Sequence, residues 1–273
     1  MKKAREEVFD ELIEDDIDQG DYEYKHLVNC QAKGKNFTRV NFRYSVLEDS
    51  YFHQAKFVDC DFTGVIFRRN NFRSASFTRC NFSYSTFEST ILPYDQILLN
   101  LPKYENIRLN LLKNLRVNAE QIGERDILER LIIAEANTLT EHYKKAFTHN
   151  ESYYKEKYKG FLRIKNFFKY IGMKSKKILW NHGYSYIRIL IVSLIFLFLM
   201  SILPTIRSIG DSTLLSDITE LLLNSIWNSI CVYVDVPLEI NILNDVEILI
   251  LVISRYITIG IFINVFYIKN IKK

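Results

Sequence analysis

The sequence predicts a multidomain protein in which a β-solenoid is followed by a helical hairpin and then by an α-helical membrane unit. Three observations carry that expectation. Large apolar residues recur at every fifth position from Leu27 to Leu92, with Ala32 the single exception. Helical spacing takes over beyond Pro93 and Pro102, and the last third of the 273 residues holds long apolar runs.

The solenoid follows from the number five. A strand repeats its faces every two residues and an α-helix every 3.6, so neither buries side chains spaced by five on one side. A chain that changes direction about every five residues returns each of Phe37, Phe42, Phe52, Phe57, Phe62, Phe67, Phe72, Phe77, Phe82 and Phe87 to one shared interior. Two positions before these residues the side chain is small, as at Cys30, Ser45, Ala55, Cys60, Ala75, Cys80 and Ser85, and it also fits inward. Lys35 and Asn70 break the rule, and Asn70 needs an interior hydrogen-bond partner. Cys60 and Cys80 share a face in adjacent coils and are read as two small buried thiols.

Units such as Asn36-Phe37-Thr38-Arg39-Val40, Asp61-Phe62-Thr63-Gly64-Val65 and Asn81-Phe82-Ser83-Tyr84-Ser85 resemble the pentapeptide-repeat family in its phenylalanine-rich form. The resemblance implies a right-handed quadrilateral β-helix with four pentapeptides per coil. Residues twenty apart then stack at about the strand spacing of 4.7–4.9 Å. Phe42, Phe62 and Phe82 form one internal ladder, and Phe37, Phe57 and Phe77 another. The aromatics are core, and the repeat is scaffold.

Before the repeat, residues 4 to 19 place Val8, Phe9, Leu12, Ile13 and Ile17 on one side of a short amphipathic helix, expected to cover the open edge of the first coil. The charged start lacks the apolar core of a signal peptide, which predicts a cytoplasmic N-terminus and reduced cysteines. After the repeat, Tyr104 to Gln121 forms one helix, Gly123 a turn, and Glu124 to about Tyr158 a second helix. The run from Asn114 to Gly123 resembles the helical segment that follows the repeats in bacterial membrane proteins of this family. The Lys-rich stretch Lys155 to Lys177, interleaved with Tyr158, Phe161, Phe167, Phe168 and Tyr170, reads as a membrane-surface helix drawn to anionic lipid.

Ile187 to Leu203, ending at Pro204, is long enough to span a bilayer, and Glu247 to Ile268 is a second candidate despite Arg255. Leu221 to Val234 is too short for a crossing and is expected to dip in and return. Charge agrees. Between Lys155 and Arg188 there are ten Lys or Arg against Glu156 alone, the chain ends Lys269, Lys272, Lys273, and the loop between the spans is acidic apart from Arg207. Two crossings put both termini in the cytoplasm of a multi-pass inner-membrane protein, whereas three crossings do not.

Span, short helix, loop, Asp-x-Pro and second span resemble the two-transmembrane, pore-loop channel superfamily. Leu214 to Ile230 resembles its pore helix, Ile230, Cys231, Val232, Tyr233, Val234 and Asp235 its filter, and Asp235-Val236-Pro237 the exit. The resemblance implies four copies around one pore. Valines at 232 and 234 stand where the filter backbone demands glycine, which predicts poor cation discrimination, a dewetting gate at that ring, or no conduction. Asp235 is read as a carboxylate ring at the outer mouth or as a loop cap. Arg255 is an intramembrane charge whose partner is expected to be Asp217 or Glu220, unless it snorkels to the surface. Trp180, Tyr184 and Tyr186 are placed in an inner aromatic belt, and Trp227 against the pore helix.

The expected domains are therefore a capping helix at 1–22, the repeat at 23–93, a helical linker and basic juxtamembrane segment at 94–178, and a two-transmembrane pore-loop domain at 179–273. The expected function is a membrane-embedded, ion-channel-like homotetramer with a cytosolic sensor or docking domain. The alternative is a non-conducting, membrane-tethered interaction scaffold. Membrane lipid, further copies of the chain and a cytosolic protein on the repeat are the expected partners. A DNA mimic is disfavoured because residues 27 to 92 carry nine basic against five acidic side chains. No enzyme, cofactor or metal is expected, since the five histidines are scattered, the four cysteines form no Cys-x-x-Cys pair and no phosphate-cradling loop occurs.

Overall fold

The computed structural model describes residues 5–149, 151–209, 215–237 and 242–271. The chain divides into two compact units, one ending at Ile171 and the other beginning at Gly172.

The first unit is built on a β-solenoid of about four turns. Its odd strands β1 (Glu6–Phe9), β3 (Lys25–Val28), β5 (Val46–Glu48), β7 (Ile66–Arg68) and β9 (Thr86–Glu88) form one parallel sheet. The even strands β2 (Ile17–Asp18), β4 (Asn36–Thr38), β6 (Lys56–Val58) and β8 (Ser76–Thr78) form another. Single bridges such as Asn41 to Asp61 and Tyr51 to Asn71 close the remaining two faces, giving four sides. Residues twenty apart are in register, as in Phe37 with Phe57 and Phe57 with Phe77.

The expected ladders are present. Ring centroids lie 5.1 Å apart for Phe42 and Phe62 and again for Phe62 and Phe82, and 4.8 and 5.0 Å apart along Phe37, Phe57 and Phe77. These rings are almost wholly buried, so the bore is a packed hydrocarbon column. Asn70 has the partners it needs: Oδ1 accepts from the Ser50 amide at 3.0 Å and Nδ2 donates to the Leu47 carbonyl at 2.8 Å. Lys35 turns outward, its ammonium on the Glu14 carbonyl. Cys30, Cys60, Cys80 and Cys231 are buried and free.

The corners have a backbone signature that side-chain spacing did not reveal. Every fifth residue from Asn29 to Ser89 is left-handed, with φ between 48° and 69°. Only Gly34 and Gly64 in that series are glycines, and each other residue bears the steric cost of its Cβ. The corner amide donates to the next coil, as from Arg39 to Val58 and Asp49 to Arg68, which holds the strained geometry in place.

The N-terminal helix expected over residues 4 to 19 is not formed. Residues 6 to 9 and 17 to 18 are strands, and β1 pairs in parallel with β3. Val8 lies opposite Leu27, nineteen residues on, whereas Ile17 lies opposite Phe37, twenty residues on. One coil is a residue short, which conceals the period of five and leaves a pattern that also suits a helix.

At the other end, α1 (Tyr94–Leu99), α2 (Glu105–Ile122) and α3 (Leu128–Thr148) close the solenoid. The last coil would expose unpaired peptide groups, and side-chain amides occupy them. Asn118 accepts from the Thr90 amide and donates to the Thr90 carbonyl, each at 2.8 Å; Asn114 does the same with Phe87 at 2.7 and 3.1 Å. Asn100 bridges the Cys80 amide and the Phe77 carbonyl, and Gln121 accepts from Ser89. The long second helix of the hairpin ends early, at Thr148, where His149 is left-handed, and α4 (Ser152–Lys157) then precedes α5 (Phe161–Trp180).

The second unit contains α6 (Tyr186–Ser208), α7 (Leu215–Val234) and α8 (Asp245–Ile271). Pro204 does not end α6, which continues for another turn. Leu197, Met200, Leu243 and Leu251 form its buried centre, with Ile230 and Val232 of α7 packed against them.

Candidate functional site

Asn244 and Glu247 start α8 with reciprocal bonds: the Glu247 amide donates to Asn244 Oδ1 at 2.8 Å, and the Asn244 amide to Glu247 Oε2 at 2.9 Å. The same carboxylate receives both guanidinium nitrogens of Arg207, from the last turn of α6, at 3.0 and 3.2 Å. Arg207 also donates to the Ile242 carbonyl at 2.8 Å. The C-terminal end of α6 and the N-terminal end of α8 are thus locked at one level. The Asn-x-x-Glu spacing was a readable signal for this clamp, although the sequence reading used Arg207 only as a charge.

The helix between them in sequence is α7, which begins at Leu215. It runs unbroken to Val234 and closes with Asp235 left-handed at φ 71°, the Val236 amide on the Cys231 carbonyl at 2.8 Å and the Asp235 amide on Val232 at 3.4 Å. Asp235 Oδ1 then meets Arg255 Nη1 at 3.2 Å. Arg255 stands about 15 Å along α8 from Asp245 at 1.5 Å per residue. Ile242 lies at the Arg207 clamp, at the level where α8 begins.

Three expectations change here, and of the two readings of Asp235 the cap is the one found. Ile230, Cys231, Val232, Tyr233 and Val234 are the final turns of a helix, not an extended filter with a row of inward carbonyls. β-Branched valines resist the left-handed conformations such a row requires, and the helix remains. Asp235 is the cap of that helix. Arg255 pairs with Asp235 in place of Asp217 or Glu220. Trp227 is 61% exposed and faces out of the unit. The reading of Leu214 falls outside the described residues.

Three buried polar atoms on α7, Asn228 Oδ1, Ser229 Oγ and Tyr233 OH, have no protein hydrogen-bond partner among the described residues. In contrast, Ser193, Ser201 and Thr205 on α6 each return a bond to a carbonyl of their own helix. α6 and the Asp245–Tyr267 part of α8 are long and apolar enough to cross a membrane, and only 33% and 11% of their apolar windows are buried.

A second polar cluster sits in the linker. Glu105 is buried between Lys145 Nζ at 2.6 Å and the Tyr154 hydroxyl, which donates to it at 3.3 Å. Burial, the largest single influence, acts to raise the Glu105 carboxyl, but Lys145, a backbone amide and the Tyr154 hydroxyl together outweigh it and leave the group below its ordinary range. With its proton committed to Glu105, the Tyr154 oxygen accepts from His142 Nδ1 at 3.2 Å, and His142 Nε2 accepts from the Tyr158 hydroxyl at 3.2 Å. Burial pushes the His142 imidazole below its ordinary value; Glu105 opposes this, and Lys157 and Lys169 add to it. This network has no local sequence signal, because its members lie on α2, α3, α4 and the residue just after α4.

On the solenoid surface, charges pair between coils. Arg79 holds Asp59 at 2.6 Å, and Arg69 binds both Asp49, at 2.7 Å, and Glu48. These guanidinium bonds keep the Asp49 and Asp59 carboxyls below their ordinary values.

The pentapeptide-repeat family profile matches residues 45–83 and 55–92, with eight copies. The first unit carries a pentapeptide-repeat domain. Two trypsin-treated forms of QnrB1, described as a plasmid-mediated fluoroquinolone resistance protein, are similar to the chain at 19% and 18% identity. They align over 31% and 33% of this chain and 57% and 55% of theirs, with a TM-score of 0.17 each. The chain spans a little over half the length of these solved structures, and a superposition this loose carries no argument about function. No curated protein matches the chain. The family profile begins within the pentapeptide-repeat domain, whose coils extend upstream to Glu6.

Proposed function

We propose that the chain is a membrane-tethered docking protein: α6 and α8 anchor it in a lipid bilayer and the pentapeptide-repeat domain binds a protein partner on the cytosolic side. The observation that carries this reading is the outward exposure of the two long apolar helices, only 33% and 11% of whose most apolar stretches are buried. A core helix of a water-soluble domain hides most of its apolar face, whereas a lipid-facing helix does not. The solenoid supplies a rigid face on which side chains repeat at the coil spacing, suited to a fixed partner surface.

Flotation of the full-length protein with liposomes tests the anchor. Co-flotation that resists alkaline carbonate is expected, and protein left at the bottom of the gradient rejects it. Cysteines introduced near Lys3 and Lys273, labelled from one side of intact cells, test the shared cytoplasmic side; opposite accessibility rejects it.

Conduction by a ring of copies is a second reading, favoured by the contact of the α7 C-terminal end with Arg255 of α8 and by the unpartnered Asn228, Ser229 and Tyr233. Ion flux through reconstituted protein that changes with Asp235→Asn supports it. Electrically silent bilayers with folded, inserted protein leave the docking function alone.

A further inference from the structure

Two adjoining clefts in the second unit form an amphipathic slot, and we infer that it binds one anionic phospholipid, acyl chain inside and phosphate at the mouth. This rests on the proposal that α6 and α8 lie in a membrane. The inner cleft, about 180 Å³, lies between Ile189, Val192 and Phe196 of α6 and Ile257 and Ile261 of α8, with Trp180 at its end. Those α6 positions fall at i, i+3 and i+7, one continuous helix face. The hydroxyls of Ser193 and Ser254, also on its wall, are spent on the carbonyls of Ile189 and Leu251, which leaves a mostly apolar wall with Thr258 as its one other hydroxyl. Methylene groups fit it.

The second cleft, about 440 Å³, shares Trp180 and Ile261 with the first and adds Lys176, His182 and Asn264. His182 Nε2 is buried and has no hydrogen-bond partner among the described residues. The residue is left-handed at φ 57°, at the kink between α5 and α6, so the backbone holds its ring in the mouth against a steric cost. Lys176 and Lys177 depress the basicity of the ring further after burial, which marks the local potential as positive. No acidic residue occurs between Lys157 and Gly210, nor from Tyr256 to the last residue. A positive mouth without a carboxylate in either flanking segment, opening on an apolar slot, matches a phosphate joined to an acyl chain. A free phosphate would satisfy only the mouth, and a neutral lipid only the slot.

Trp180 is the built-in reporter, because it touches both clefts. The full chain carrying Trp227→Phe is placed in vesicles that contain brominated phosphatidylglycerol or brominated phosphatidylcholine at equal bromine content, and flotation is checked on the same sample. Quenching of Trp180 is expected to be stronger with phosphatidylglycerol. Unbrominated phosphatidylglycerol should reverse it, and inorganic phosphate at matched ionic strength should not. Lys176→Gln should weaken the phosphatidylglycerol preference about fivefold. Val192→Phe, which narrows the slot, leaves the charges in place and adds no second reporter, should abolish it. Equal quenching by both lipids in protein that floats overturns the lipid site and spares the anchor. Reversal by phosphate overturns it in favour of an anion site. Protein that does not float overturns both.

Discussion

Asn118 meets the main chain of Thr90 with both atoms of its amide, donating to the carbonyl and accepting from the N–H at 2.8 Å each. The side chain stands where the peptide group of a further coil would stand, and its Nδ2 also donates to the Tyr94 hydroxyl at 2.9 Å. α2 thereby docks on the last coil by hydrogen bonds as well as by packing Leu111, Leu112 and Leu115.

Asn118→Leu preserves bulk and removes all three bonds. Two buried peptide groups of Thr90 lose their partners, at about 1–3 kcal/mol each. Chemical unfolding of the full chain should show a loss of about 3 kcal/mol, whereas Asn41→Ala on the exposed face should cost under about 1 kcal/mol. Equal losses would contradict the capping role.

Gly34 and Gly64 share φ 69° but not their surroundings. A Cβ on Gly64 would come within 2.6 Å of the Tyr44 ring, and one on Gly34 would meet nothing within 4 Å. Gly34→Ala should cost about 1–2 kcal/mol from the left-handed backbone alone. Gly64→Ala should cost about 1 kcal/mol more, because Tyr44 must move, and adding Tyr44→Ala should remove that excess. Thermal unfolding of these three variants and of Tyr44→Ala alone checks it.

The Asp235–Arg255 pair is lopsided: the arginine side chain is 13% exposed and the aspartate 82%. Asp235→Ala leaves the guanidinium without its carboxylate and should lower the unfolding midpoint of detergent-solubilised protein. Arg255→Leu should lower it less, and the double variant should resemble Arg255→Leu. A double variant worse than Asp235→Ala would disprove the pairing.

His142 has a folded pKa below its unfolded value because burial disfavours its charge. The unfolded chain therefore binds the extra proton first, and stability present above about pH 6.5 falls as pH drops through the window down to the folded pKa. The slope is at most about 1.4 kcal/mol per pH unit for one proton. His142→Asn should flatten part of the stability profile between pH 7 and 5, leaving the share of His182, whose pKa is lowered in the same direction. An unchanged slope would remove His142 from the account. Below pH 4 a separate loss should follow as Asp49 and Asp59, held ionised by Arg69 and Arg79, take up protons.

The bore was legible because a period of five has few physical solutions, and Phe57 or Phe62 can be placed from spacing alone. The first coil was not, since one missing residue between Leu12 and Ile17 moves Val8 and Ile13 out of phase with the series. The left-handed corners were hidden because Arg39, Tyr44 and Asp59 are ordinary residues forced into that conformation by neighbouring coils. In the second unit, length and charge marked α6 and α8. The state of residues 230 to 234 was misread because a resemblance to a glycine-lined filter was laid on valines that favour a helix here. Partners across helices, such as Arg207 with Glu247 and His142 with Tyr154, depend on tertiary placement that no local pattern encodes.

Because amide side chains from a fixed helical plug satisfy the terminal coil, the rod can be lengthened or shortened only upstream of that plug. A duplication of twenty residues between β4 and β8 would repeat the register and leave every cap bond intact, moving the N-terminal face outward by one coil spacing. The reach of the domain is thus adjustable in steps of about 4.8 Å without redesign of either end.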